Sequence, residues 1–291
     1  MVTRTPKFQY GPKGPAMHKA EEDWIHNWMT TLRRMRREGT GDRVVRCRKT
    51  ASLGPIAKGT KRVHFVRHGE GHHNVHSTKW FDLGKKGNPW EHETCPVDPG
   101  LTDLGTEQAN ELNEKSQRDL GQAPEVVVVS PLMRTLQTAT LGFASLAGTV
   151  PFVAHEDCRE IMGQHRCDRR VKAGFRSREF THVDFSGLHD GKLPVEGDPK
   201  EEDLEALDDA VFNEWGKVRE SDQAAVKRAL DFLWWLKDRP EEDIVVVTHS
   251  AWLCVAFNGA MLCDCEDLQS WFSTGEIRST TLEFNSKERV E

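Results

Sequence analysis

The chain has 291 residues, of which 37% are hydrophobic and 30% charged, enough apolar material for one sizeable α/β domain and too much for a disordered protein. No apolar run approaches the ~18–20 residues that a helix needs to span a bilayer, so no membrane span is expected. Seven cysteines, an odd number scattered from 47 to 265 behind no secretory signal, read as reduced thiols of a cytoplasmic protein rather than as a disulfide framework. The pair Cys263 and Cys265 is too tight and isolated for a zinc site and is expected to pack at a helix end.

The net charge of −6 is unevenly spread. Residues 1–62 hold 15 Lys or Arg against 5 Asp or Glu, so the remainder is strongly acidic. A nucleic-acid binder carries its positive charge on the folded domain, and here it sits on an N-terminal extension, so no nucleic-acid partner is expected. The division predicted from this is a basic extension over 1–60, followed by one domain over 61–291.

Residues 1–17 are rich in Pro, Gly and Lys and read as an irregular lead-in. The first 20 residues lack acids and carry four Lys or Arg, a faint likeness to an organelle transit segment without its serine content. From 18 to 38 the spacing of Trp24, Ile25, Trp28, Met29, Leu32 and Met35 predicts an amphipathic helix closed by basic residues. Docking of that helix on its own domain through the two tryptophans is the favoured use, and a protein partner or membrane surface is the other.

Val63–Val66, Val126–Val129 and Ile244–Val247 are short β-branched runs, as parallel strands covered on both faces should be. Helices fall between them. Thr102 or Asp103 caps one carrying Leu104, Ala109 and Leu112. Pro131 opens a second with Leu132, Leu136 and Ala139. Ser221 and Asp222 start a third that Pro240 stops. Strands alternating with helices predict βαβ units and a mostly parallel sheet. Residues 183–216 are acidic and irregular and read as a solvated surface insertion.

Two histidines lie just past buried strands, at the edge where open α/β sheets bind ligands: His68 after Val63–Val66 and His249 after Ile244–Val247. Arg67 and Arg134 can offer planar, bidentate donors that suit a phosphate. Gly69 allows a close backbone approach, and Asn74 adds a neutral donor. A nucleophilic imidazole between fixed donors is what phosphoryl transfer requires. The crowd of His64, His68, His72, His73 and His76, with His72 and His76 at i,i+4, also fits metal ligation. Arg67 would repel a cation there and no carboxylate cluster follows, so neither metal nor cofactor is expected.

Arg67-His68-Gly69-Glu70-x-x-x-Asn74, Asp98-Pro-x-Leu-Thr-x-x-Gly-x-x-Gln108-Ala109, Ser130-Pro-Leu-x-Arg134-Thr-x-Gln137-Thr-Ala139, Arg159-Glu160 and Val247-Thr-His249, in that order, resemble the histidine phosphatase superfamily. The stretch 158–170 is closer to the phosphoglycerate mutase-like proteins of plants and fungi than to glycolytic mutases. The resemblance implies a three-layer α/β/α sandwich of the phosphoglycerate mutase-like type. It implies a metal-independent phosphatase for a small phosphorylated metabolite, working through a phosphohistidine on His68. Arg67, Asn74, Arg134 and His249 would hold the phosphate, and Glu160 would be the proton donor. Basic residues at 159, 166, 169, 170, 172, 176 and 178 would either flank the pocket or form ion pairs. The alternatives are a phosphoglycerate mutase-type phosphotransferase, disfavoured because its longer motif after the acidic residue is missing, and a scaffold acting through the N-terminal helix.

Overall fold

The computed structural model describes residues 15–39, 43–50, 54–120, 123–188 and 219–286. Its described elements are α1 (Pro15–Gly39), β1 (Arg43–Lys49), β2 (Thr60–Arg67), α2 (His72–Asp82), α3 (Asp103–Asp119), β3 (Val126–Val129), α4 (Met133–Gly142), β4 (Phe152–Ala154), α5 (Ala173–Glu179), β5 (Val183–Asp184), α6 (Asp222–Asp238), β6 (Asp243–Thr248), α7 (Ser250–Val255), β7 (Met261–Cys263), α8 (Glu266–Gln269) and β8 (Ile277–Ser286). The strands form one sheet in the order β5-β4-β3-β6-β2-β8-β1-β7. β8 runs antiparallel to both of its neighbours, and the remaining pairings are parallel.

Alternation along the central strands divides the core into two layers, the reason these strands read as unbroken apolar runs. Val63, Phe65, Val126, Val128, Ile244 and Val246 face one cluster, which also holds Leu32 of α1, Leu233 of α6 and Trp252 of α7. Val66, Val127, Val129, Val245 and Val247 face the other, with Leu112 of α3 and Leu136 of α4. The result is an α/β/α sandwich. Helix starts follow their caps: Thr102 Oγ1 accepts from Gly105 N–H, and Ser221 accepts from Ala224 N–H. No helix among the described residues is long and apolar enough to cross a membrane.

The N-terminal region departs from the sequence expectation in two ways. The stretch predicted as an extension over 1–60 supplies β1, which lies inside the sheet between β8 and β7. Only Val45 and Cys47 of β1 are buried, so a basic, half-covered strand hid behind its own charges. The predicted helix over 18–38 forms and docks on its own domain. Its anchors, however, are Ile25, Met29 and Leu32 at spacings of four and three, while Trp24 stacks on Trp28 and stays 59% exposed. Trp28 Nε1 donates to Asp222, Arg33 Nε to Asn258, and Arg36 to the Met261 carbonyl.

Of the predicted insertion over 183–216, residues 189–216 lie outside the described residues, as does most of the lead-in over 1–17. Val183 of the edge strand β5 is buried, and Phe185 and Leu188 just after it are buried in the same core layer. Cys265 precedes α8, and Cys263 on β7 sits beside Cys47 of β1. All seven cysteines are free thiols.

Candidate active site

The carboxyl ends of β2 and β6 are adjacent, because Arg67 pairs in register with Thr248. His68 and His249, the next residue on each strand, therefore leave the sheet side by side. Their ring centroids are 5.2 Å apart and their planes tilted by 61°. His68 is held on both edges. Its Nδ1–H donates to the Gly69 carbonyl at 2.6 Å, and Arg134 Nε donates to its Nε2 at 3.3 Å. That pairing places the ring proton on Nδ1 and leaves a lone pair on Nε2, the nitrogen that faces the guanidinium.

The surrounding backbone fixes this posture. His68 N–H donates to the Thr248 carbonyl, and Gly275 N–H reaches the carbonyls of Arg67 and His68. Gly69 N–H donates to Thr138 Oγ1 and Glu70 N–H to Gln108 Oε1. A Cβ on Gly69 would overlap the Gly105 carbonyl at the start of α3, so this glycine admits a close helix approach rather than a ligand. Asp98 has φ +41° and caps α4 by accepting from Met133 N–H at 2.8 Å, while Arg176 holds its other oxygen at 2.6 Å. The first turn of the helix that carries Arg134 is thereby pinned through Asp98.

Arg134 is fully buried, and its other two nitrogens are engaged. Nη1 donates to the Cys167 carbonyl at 2.7 Å, and Nη2 to Asp168 Oδ1 at 3.0 Å. Burial pushes Asp168 up, but His165, Arg134 and Arg219 outweigh it and hold the carboxyl below its usual range. Asp168 was missed from sequence, where it lay in a basic run without a distinguishing pattern. Arg67 donates to the Phe272 carbonyl at 2.7 Å, and its Nε is buried without a partner. His249 Nε2 bonds Ser130 Oγ at 2.8 Å, and its Nδ1 is likewise buried and unpartnered. Asn74 uses its Oδ1 locally, closing the first turn of α2 on Gly71 N–H at 2.9 Å.

Glu160 is 8% exposed and sits at the start of α7. Its Oε1 accepts from the N–H groups of Ile161 at 2.9 Å and Trp252 at 2.8 Å, and its Oε2 accepts from Ala251 at 3.2 Å. Burial and the charge of Asp168 raise its pKa, against the Ile161 N–H, Arg134 and Arg219. Burial pushes His68 and His249 well below the ordinary 6.5, and Arg134 adds to it in both cases. Both imidazoles are neutral at pH 7.

Much of the predicted basic flank is tied into structural pairs. Arg159 and Arg170 share Glu156, Arg176 spans Asp98 and Glu179, and Arg166 holds the Cys95 carbonyl. The histidine crowd also disperses. His64 bonds Asp243 and Ser279 inside the sheet, His72 is exposed, and His76 bonds the Pro89 carbonyl.

Residues 63–172 match the model of the histidine phosphatase superfamily, branch 1. Over that stretch the chain is similar to the histidine phosphatase superfamily. Two Arabidopsis thaliana relatives are called phosphoglycerate mutase-like protein and phosphoglycerate mutase-like protein 1. The first is 29% identical over 253 residues, covering 76% of this chain and 84% of its own. The second is 28% identical over 254 residues, covering 76% and 81%. Among solved structures, the alpha-ribazole phosphatase of Shigella flexneri aligns over 78% of this chain and 96% of its own, at 18% identity and a TM-score of 0.45. The superfamily match spans His68, Arg134 and Glu160 and ends before His249.

Proposed function

We propose that the chain is a metal-independent phosphomonoesterase that hydrolyses a small phosphorylated metabolite through a phosphohistidine on His68. The observation that carries this is the posture of His68: a neutral ring with its proton parked on the Gly69 carbonyl and its Nε2 lone pair aimed at a guanidinium. That is a nucleophile without a separate general base, poised for phosphorus rather than for a proton. The unpartnered Arg67 Nε and His249 Nδ1 beside it support the reading, since buried polar groups are ordinarily bonded.

In the first half-reaction His68 Nε2 attacks phosphorus as the ester P–O bond breaks, and Glu160 gives its proton to the departing alkoxide. In the second, the Glu160 carboxylate takes a proton from water, whose oxygen attacks phosphorus. The P–N bond breaks, inorganic phosphate leaves and neutral His68 returns. Arg67, Arg134, His249 and the Asn74 amide hold the phosphoryl oxygens. Arg134 must exchange its contact with His68 Nε2 for one with the phosphoryl group. Two buried guanidiniums at the site disfavour a cation, which supports chemistry without a metal.

A screen of phosphorylated metabolites with wild type and His68→Ala tests the proposal. The variant should lose at least ~10³-fold in rate, because the covalent route closes. Near-normal turnover in His68→Ala would end it, and inhibition by a chelator would favour a metal instead. The names of the plant relatives keep a phosphotransferase reading in play. Incubation with 3-phosphoglycerate separates the two, since a hydrolase releases inorganic phosphate and a mutase yields 2-phosphoglycerate.

A further inference from the structure

The buried face of α2 brings a third imidazole to the site. The His73 ring lies 5.5 Å from that of His68, centroid to centroid, and is 7% exposed. Burial, with Arg134 foremost among the charges, holds its pKa well below the ordinary value, so the ring is neutral. This chain also shows what a structural buried histidine looks like. His64 has Nδ1 bonded to Ser279 Oγ at 2.7 Å and Nε2 to Asp243 at 2.8 Å. His73 is different, for its Nδ1 is buried with no partner.

Gly71 explains how the ring is seated. A Cβ at position 71 would come within 2.7 Å of His73 Nδ1 and 2.8 Å of Cε1. The ring therefore folds back against Gly71, where a side chain would displace it, and its buried Nδ1 edge meets no hydrogen-bond partner. A proton on that nitrogen would be stranded, which costs more than an idle lone pair, so it belongs on Nε2, at the opposite edge of the ring.

We propose that His73 is a further phosphate-binding residue, donating its Nε2–H to a non-bridging oxygen of the phosphoryl group while His68 carries it. Rings with centroids 5.2 and 5.5 Å from that of His68 flank the nucleophile, within reach of phosphoryl oxygens at hydrogen-bond lengths of ~2.7–3.2 Å. The donor is neutral and so adds direction without adding charge beside Arg67 and Arg134. The inference rests on the phosphohistidine reading above.

Orthovanadate, which takes the five-coordinate shape of phosphorus in flight, is the probe. Its inhibition constant and kcat/KM for p-nitrophenyl phosphate are measured for wild type, His73→Phe and His73→Gln, with Tm for each. His73→Phe keeps the ring and removes both nitrogens. It should weaken vanadate binding and kcat/KM in parallel by ~10- to 100-fold, the worth of one hydrogen bond to a charged group, at an unchanged Tm. His73→Gln, which keeps an N–H donor, should recover most of the loss. Wild-type vanadate affinity in His73→Phe would overturn the proposal. So would equal losses in both variants with a lowered Tm, the mark of packing alone. If His73→Phe does not fold, Gly71→Ala displaces the ring instead, and unchanged vanadate affinity there would overturn it equally. A wild-type enzyme that neither binds vanadate nor becomes phosphorylated would sink the underlying phosphohistidine reading instead.

Discussion

Glu160→Gln perturbs a side chain whose surroundings are fully specified. The carboxylate receives three N–H donors, two on Oε1 and one on Oε2. Glutamine can place its oxygen at the Oε1 position and keep the bonds from Ile161 and Trp252, but its NH2 then faces the Ala251 N–H. One lost bond and a donor–donor contact cost about 1–3 kcal/mol of stability. Each kcal/mol should appear as roughly 2–4 °C in Tm for a domain of this size. The kinetic effect is separate and depends on the substrate. An alkoxide leaving group needs its proton, so kcat/KM for an alkyl phosphate should fall by ~10²–10⁴-fold. Nitrophenolate leaves without one, so p-nitrophenyl phosphate should suffer far less in the same step. The pH profile adds a second readout. A raised Glu160 pKa keeps the acid form available above 4.5, so wild-type kcat/KM on the alkyl phosphate should decline on the alkaline side as the carboxyl ionises. That limb should vanish in Glu160→Gln. Equal losses on the two substrates, with the alkaline limb intact, would refute the proton-donor role and leave Glu160 as a cap on α7.

Arg134→Lys should lower kcat/KM by at least ~10²-fold and cost about 3–5 kcal/mol in urea unfolding, because Asp168 and the Cys167 carbonyl lose a fixed three-way donor in a buried site. A variant within 1 kcal/mol of wild type would contradict that buried pairing. Stability should fall as pH drops below 6.5. His68, His73 and His249 stay neutral in the folded chain, while the unfolded chain protonates them, so each takes up to about 1.4 kcal/mol per pH unit. A urea midpoint that does not move between pH 8 and pH 5.5 would count against three buried neutral imidazoles. Gly105→Ala should destabilise by about 1–3 kcal/mol, since its Cβ would overlap the Glu70 carbonyl and push the loop that follows His68 off α3. Unfolding at the wild-type urea concentration would show that the loop has room to spare.

The central sheet was legible because β2, β3 and β6 are covered on both faces and so present unbroken β-branched runs. β1 was not, because only Val45 and Cys47 of its seven residues enter the core and its basic neighbours read as a solvated extension. For the site, the sequence put His68 and His249 just past the carboxyl ends of two buried strands, and the pairing of those strands, with Arg67 in register with Thr248, brings them together. The motif residues between them turn out to be largely scaffold. Asp98 caps the helix of Arg134, Gln108 holds the Glu70 N–H, and Gln137 holds the Leu101 N–H. Spacing flags such residues as a set but does not tell a cap from a ligand. Asp168 and His73 were opaque for a different reason. One lay in a run of basic residues and the other in a run of histidines, where composition drowns the individual, and only burial distinguishes His73 from the exposed His72.

The most direct test of a phosphoryl group on His68 is rapid quenching of the enzyme with a 32P-labelled phosphomonoester, followed by acid and alkali treatment and peptide mapping. An acid-labile, alkali-stable label on the peptide containing His68, absent from His68→Ala, is the expected result. Hydrolysis that proceeds at full rate with no label on that peptide, or label that persists in His68→Ala, would contradict it.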